Sequence, residues 1–281
     1  MQRTMSFKND KATLYIVATP IGNLQEMTPR AIEILKHVDI IAAEDTRNTG
    51  RLLKQFDITS KMITHHKYNE NKSSDGIIKL LKENNNVALV SDAGYPLISD
   101  PGQSIVNKAI SNGFNVVPIS GSSAILNAVV ASGLDTSAFS FIGFLPIKQS
   151  DCKAKLREVV ERKDTLVFYE APHRLKKTLS TIREELGNRY ICIAREITKQ
   201  YEEYIRGDID TILNELEDIK GEIVIVVEGD KAQEEEFLNV DLIKMVRVEI
   251  SRGMSAKDAI KYVSELSGVA KNHLYKIYHS N

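Results

Sequence analysis

Residues 87–102 read Val-Ala-Leu-Val-Ser-Asp-Ala-Gly-Tyr-Pro-Leu-Ile-Ser-Asp-Pro-Gly. A short run that is apolar at every position stops at Ser91-Asp92 and opens into turn-forming residues. A strand with no polar face belongs inside a parallel sheet that is covered on both sides. Ligands of open α/β sheets bind beyond the carboxyl ends of such strands, which puts Asp92, Ala93 and Gly94 at the rim of a cleft.

Outward from this stretch the same pattern repeats. Leu14–Ala18, Ile40–Ala43 and Asn115–Ile119 are short apolar strand candidates, and helix-period segments at Arg30–His37, Asp75–Glu83 and Gln103–Ser111 lie between them. Alternation of this kind implies a mostly parallel sheet. Asp100, just before Pro101 and a helix, is expected to cap that helix. After the Ser120-Gly121-Ser122-Ser123 turn, a helix over Ala124–Ser132 leads into further strands at Ser140–Phe144, Thr165–Tyr169, Tyr190–Ala194 and Glu222–Val227.

The chain has 281 residues, enough for two hydrophobic cores and a small third unit. The division expected is an α/β domain over 1–121, a second over 122–229, a charged and aperiodic linker over 230–239, and a helical unit over 240–281 with helices near 241–251, 255–266 and 269–279. Between Val240 and Asn281 seven Lys/Arg stand against four Asp/Glu, a net +3, although the whole chain carries −1. Any nucleic-acid partner must therefore be gripped by a local basic surface. A helix, a Ser267-Gly268 turn and a second helix bearing Lys271, Asn272, His273 and Lys276 has the outline of a helix-turn-helix; a helical cap or a dimer contact is the alternative.

Two cysteines, Cys152 and Cys192, are too few for a disulfide scaffold or a cysteine-based zinc site. No spacing suits a metal, and His65-His66 on an extended segment point in opposite directions. No segment approaches the length of a membrane span, so a cytoplasmic location is expected. Neither a G-x-x-x-x-G-K-[ST] loop nor a G-x-G-x-x-G fingerprint occurs, which removes the main support for nucleoside triphosphates and ordinary dinucleotides.

Four polar loops follow the first-domain strands: Thr19-Pro20-Ile21-Gly22-Asn23-Leu24, Glu44-Asp45-Thr46-Arg47, Ser91-Asp92-Ala93-Gly94 and Ser120-Gly121-Ser122-Ser123. Together with His65-His66-Lys67-Tyr68-Asn69-Glu70 and Phe168-Tyr169-Glu170-Ala171-Pro172-His173-Arg174, these runs closely resemble, in order and over nearly the whole chain, the small-subunit ribosomal RNA methyltransferase I family of the tetrapyrrole methylase superfamily. The resemblance implies two α/β domains gripping S-adenosyl-L-methionine in the cleft between them, plus a small C-terminal helical unit, in a homodimer. The reaction implied is 2′-O-methylation of a cytidine ribose in the decoding region of 16S rRNA, on naked RNA or the 30S subunit. Tetrapyrrole enzymes usually carry a G-x-G-P-G first loop; Thr19-Pro20-Ile21-Gly22-Asn23 departs from it and argues against a tetrapyrrole substrate.

By the same resemblance, Pro20, Ser91, Asp92, Ala93, Gly94, Ser123, Ala124, Glu170 and Ile197 fall at cofactor-contacting positions. The Ser91–Gly94 and Gly121–Ala124 turns offer backbone donors, acceptors and small residues to a ligand with a cationic sulfonium. Methyl transfer to a ribose hydroxyl depends first on holding the reacting atoms in line, and then on a base or an alkoxide-stabilising cation. Asp45, Glu70, Glu170 and His173 are the catalytic candidates, with Glu44 and Lys199 beside them. Arg47, Lys67, Asn69, Arg174, Lys199 and Lys271 are expected to hold phosphate or ribose. Each charged residue has an internal alternative, for example Asp45 paired with Arg47, or Glu170 with Arg174. Tyr68 and Tyr95, in polar loops, are the better candidates for stacking on an unpaired base. A small-molecule methyltransferase of the tetrapyrrole type and a non-catalytic RNA-binding assembly factor are the competing functions.

Overall fold

A computed structural model describes Met5 and residues 8–66 and 70–279. Five parallel strands, β1 (Thr13–Val17), β2 (Ile40–Ala43), β3 (Lys61–Thr64), β4 (Val87–Val90) and β5 (Asn115–Ile119), form the first sheet in the order β3-β2-β4-β1-β5. Every residue of β2 and β4 is buried. Strand pleating sends Val17, Ile41 and Val90 to one face, where they meet Leu35 and Leu53 of α1 (Pro29–His37) and α2 (Thr46–Gln55). Leu14, Ala42 and Leu89 go to the other, against Ile77, Leu81 and Ile105 of α3 (Glu70–Lys82) and α4 (Gln103–Ser111).

This split follows from chain direction. Right-handed crossovers put the connections from β1 to β3 on one face, and the returning connections from β3 to β5 on the other. β1 and β4 are neighbours whose following helices lie on opposite faces, which opens a crevice at their carboxyl ends. An isolated bridge spans it: Thr19 and Gly94 exchange backbone hydrogen bonds of 2.9 and 3.0 Å.

The second sheet contains β6 (Phe139–Phe144), β7 (Thr165–Glu170), β8 (Tyr190–Arg195), β9 (Glu203–Asp208) and β10 (Ile223–Val227), in the order β6-β7-β10-β8-β9. It is mixed: β6 and β7 are parallel, while β10 runs antiparallel to β7 and β8, and β9 antiparallel to β8. One face carries the core built by Leu166, Phe168, Ile193 and Ile225 with Leu156, Leu179 and Ile209, from α6 (Gln149–Arg157), α7 (Leu175–Leu186) and α8 (Ile209–Glu215). The other is covered by α5 (Ala124–Ser132), whose Ile125 and Val129 meet Val167, Cys192, Val224 and Val226. Ile21, from the loop after β1, joins this cluster and ties the carboxyl end of the first sheet to the second sheet.

The stretch expected as a solvated linker is helical instead. α9 (Ala232–Ser251) runs through it into the segment expected as 241–251, and α10 (Ala256–Ser267) and α11 (Lys271–His279) follow. Leu242 and Val246, one turn apart, meet Ala259, Ile260, Val263 and Leu274 in a core of their own. A helix pinned there extends readily through Glu-rich sequence, since Glu favours helices and complements their N-terminal dipole. Ser255 caps α10 by accepting from the Asp258 amide at 3.2 Å, and Gly268 takes the left-handed conformation that ends it. Among the described residues no helix is long and apolar enough to cross a membrane.

Candidate functional site

A cavity of about 420 Å³ lies between the two sheets. The first sheet contributes Ile21 and the segment after β4, from Ala93, Gly94 and Tyr95 to Ile98, Ser99 and Asp100. The N-terminus of α5 opens into it at Ser123 and Ala124. The second sheet closes it with Phe144, Tyr169, Glu170 and Ala171 on one side, and with Ile197 and Gly221–Val224 on the other.

Close backbone approach shapes this space. A Cβ on Gly121 would lie 2.9 Å from the Ala18 Cβ, and the Gly121 amide donates to the Tyr95 hydroxyl at 3.2 Å. Ser122 donates to Glu26 at 2.5 Å, fixing the same turn. The loops beside the cavity hold unusual backbone: of the six described non-glycine residues with positive φ, Leu97, Ser99, Glu196 and Thr198 lie in them. Strain of this kind persists where surrounding structure over-determines it, and it gathers at ligand sites.

Six of the nine residues expected at the cofactor line the cavity: Ala93, Gly94, Ser123, Ala124, Glu170 and Ile197. Pro20 is buried and outside the lining, and Ser91 is buried with its hydroxyl toward the Ala93 and Gly94 carbonyls at 3.4 Å. Asp92 faces outward and accepts from the Asn48 side chain at 2.9 Å.

The charged candidates separate by what already holds them. Asp45 caps α2 by accepting from the Arg47 amide at 2.8 Å and pairs with the Arg47 guanidinium, bonds that pull its carboxyl down to about 2. Glu70 accepts from the Gly102 and Ser104 amides at 3.1 and 3.3 Å. It therefore caps α4, the role expected of Asp100. Glu170 is buried, accepting from the Ala171 amide at 2.8 Å and the Thr178 hydroxyl at 2.5 Å, with the Arg174 Nε at 3.4 Å. Arg174 also donates to the Leu145 carbonyl at 2.9 Å, so it clamps protein to protein. Lys199 bridges Glu196 and Glu222 at 2.8 and 3.0 Å. His173 is exposed on the 3-10 turn after β7, outside the cavity lining, and Lys271 is exposed at the start of α11. Lys67, Tyr68 and Asn69 lie outside the described residues.

Freed from capping, Asp100 lies in the cavity wall. Burial, and then the nearby Asp92 charge, raises its carboxyl above the ordinary 3.8, against a bond from Ser91. Glu44 is raised by burial and by Asp100 and Asp92. Tyr169 is pushed up to about 12 by burial, Asp100 and Glu222. Among the described residues, Asp100, Glu170 and Glu222 are the charged side chains of the lining, and no Lys, Arg or His joins them. Such a wall suits a cationic ligand with apolar portions.

The model of the tetrapyrrole (corrin/porphyrin) methylases matches residues 13–213 of this chain. The chain belongs to the tetrapyrrole methylase family. Tetrapyrrole methylases draw their methyl group from S-adenosylmethionine, and the partly apolar wall with its carboxylates fits that sulfonium cation. Curated relatives are the ribosomal RNA small subunit methyltransferase I of Halalkalibacterium halodurans, 46% identical over 99% of this chain and 98% of its own, and that of Bacillus subtilis, 46% identical over 99% of each. The solved structure of diphthine synthase matches the tetrapyrrole methylase fold with a TM-score of 0.60 at 13% identity, over 78% of this chain and 90% of that one. Sequence reading missed the wall formed by Phe144, Tyr169 and Gly221–Val224. These positions read as ordinary strand ends, and no local signal marks the space between two sheets.

Proposed function

We propose that this chain methylates the 2′-hydroxyl of a cytidine ribose in the decoding region of 16S rRNA, as a homodimer acting in the cytoplasm on the RNA or on the 30S subunit. The observation that carries this reading is likeness over the full chain, tail included, to methyltransferases named for small-subunit ribosomal RNA. The departure of Thr19–Asn23 from the tetrapyrrole enzymes' first loop supports it.

S-adenosylmethionine, when bound, supplies an electrophilic methyl group on a cationic sulfur. Ala93, Gly94, Ser123, Ala124 and Ile197 would hold it through backbone groups and apolar contact, with Tyr169 and Glu170 in the same lining. A ribose hydroxyl is a weak nucleophile, and a carboxylate in reach contributes about 10²–10⁴-fold by taking its proton. Asp100 is the carboxylate suited to that task. Glu170 accepts from the Ala171 amide and the Thr178 hydroxyl and pairs with Arg174, and Glu222 pairs with Lys199, whereas among the described residues Asp100 has no ion pair, and its raised pKa makes it a better proton acceptor. Asp45 and Glu70 serve as helix caps.

The test is transfer of a labelled methyl group from S-adenosylmethionine into unmethylated 16S rRNA and 30S subunits, followed by nucleoside analysis. Label in 2′-O-methylcytidine supports the reading. Label only in a corrin- or porphyrin-type substrate would assign the chain to small-molecule methylation, and RNA binding without cofactor binding would make it an assembly factor.

A further inference from the structure

α2 carries Arg47, Arg51 and Lys54 and no acidic residue over Thr46–Gln55. At 100° per residue these three side chains fall within one narrow stripe, opposite Thr49 and Leu53, which are buried against the sheet. All three cations are exposed, Arg47 with 85% of its side chain accessible. Among the described residues neither Arg51 nor Lys54 has an acidic partner. Among the described residues Arg47 pairs with Asp45 through Nε and Nη2, and most of its side chain still faces outward. Asp57 lies beyond the C-terminus of the helix. The chain as a whole is slightly acidic, so this is a local concentration of positive charge.

Its position gives the stripe a direction. The first turn of α2 is fastened to the cofactor-side loop by the 2.9 Å bond from Asn48 to Asp92. From there the cations rise away from the cavity over about 10 Å. At the near end stand Glu44, Asp92 and Asp100, which repel one another. A polyanion would be attracted along the helix and repelled at the carboxylates, so a neutral sugar edge would enter the cavity while its phosphates stayed outside.

We propose that the Arg47–Arg51–Lys54 face of α2 is the track on which single-stranded RNA lays its phosphates to deliver the target ribose to the cavity. This rests on the RNA-methylating reading above and adds the surface through which it works. Phosphate contacts of this kind position the chain without reading its sequence.

The experiment compares the unaltered chain with an Arg51→Ala/Lys54→Ala variant, keeping Arg47 because it belongs to the cap pair. The probe is an unmethylated 16S rRNA transcript, with binding measured over a series of salt concentrations and S-adenosylmethionine affinity measured separately. Two lost single-strand phosphate contacts flatten the log affinity against log salt plot by about 1.4 and weaken binding roughly tenfold at physiological salt. Cofactor affinity stays unchanged, and Arg51→Lys/Lys54→Arg restores the slope. An unchanged slope in the alanine variant would overturn the proposal, as would a matching loss of cofactor binding, which would make α2 a brace for the cavity. If the unaltered protein neither binds nor methylates the transcript, the functional reading fails instead.

Discussion

Glu70 takes the cap expected of Asp100, and the reason is backbone geometry. Gly102 begins α4 with a φ of 134°, and the amides of Gly102 and Ser104 point toward α3, where Glu70 supplies one oxygen to both. Asp100, two residues earlier, is thereby released into the cavity wall. A local pattern of Asp, Pro and Gly announces a cap but cannot say that a carboxylate thirty residues away will take the role. Asp100→Asn is expected to lower the methyl-transfer rate by about 10²–10⁴-fold with cofactor affinity retained. The raised pKa disfavours the ionised form in the folded state, so the ionised group is a penalty above the ordinary 3.8, absent at lower pH. The asparagine variant should therefore melt no lower than the parent at neutral pH, and the parent's rate should rise with pH through a value above 3.8. An inactive variant that also melts early would point to a structural role.

Among elements, those made of unbroken apolar runs were legible. β2, β4, β5, α4 and α5 occupy the spans their sequences indicated, because a strand buried on both faces or a helix with a wide apolar stripe leaves little choice of register. α2, β3 and β9 were not. α2 buries only Thr49 and Leu53, while β3 and β9 are edge strands with partly exposed residues, so their patterns are weak. Weak burial is also what leaves the cations of α2 available to a partner. For α3 and α4, Glu70→Ala should cost about 1 kcal/mol through loss of the cap, visible in chemical denaturation. Glu70→Gln, which keeps an acceptor oxygen, should recover most of it, and neither change should approach the kinetic effect of Asp100→Asn. A rate loss as large as that variant's would return Glu70 to the catalytic group.

At the scale of the molecule, the cavity exists because α5 follows the first sheet and covers the second, carrying the loop that holds Ile21 into the same apolar cluster as Ile197 and Val224. The order of strands and helices foretold two α/β layers, but the mostly antiparallel pairing of the second sheet depends on contacts between distant strands that no local pattern encodes. The tail has its own core, and several of its cations are paired with neighbours, as in Lys244 with Asp241 and Arg252 with Glu249. Lys257 and Lys271 remain exposed. Charge reversal at both, Lys257→Glu with Lys271→Glu, should weaken binding to 16S rRNA in a salt-dependent manner without altering cofactor affinity; unchanged RNA affinity would leave these helices a packing role.

Ribose methylation of 16S rRNA is the reaction proposed for the cavity between the two sheets. It is tested most directly in cells lacking this chain, complemented with either the parent or Asp100→Asn, by mass spectrometry of nuclease fragments from the decoding region. One methyl group on the 2′-oxygen of a cytidine is expected with the parent, and little or none with the variant. An unmodified fragment with the parent, or full modification with the variant, would contradict it.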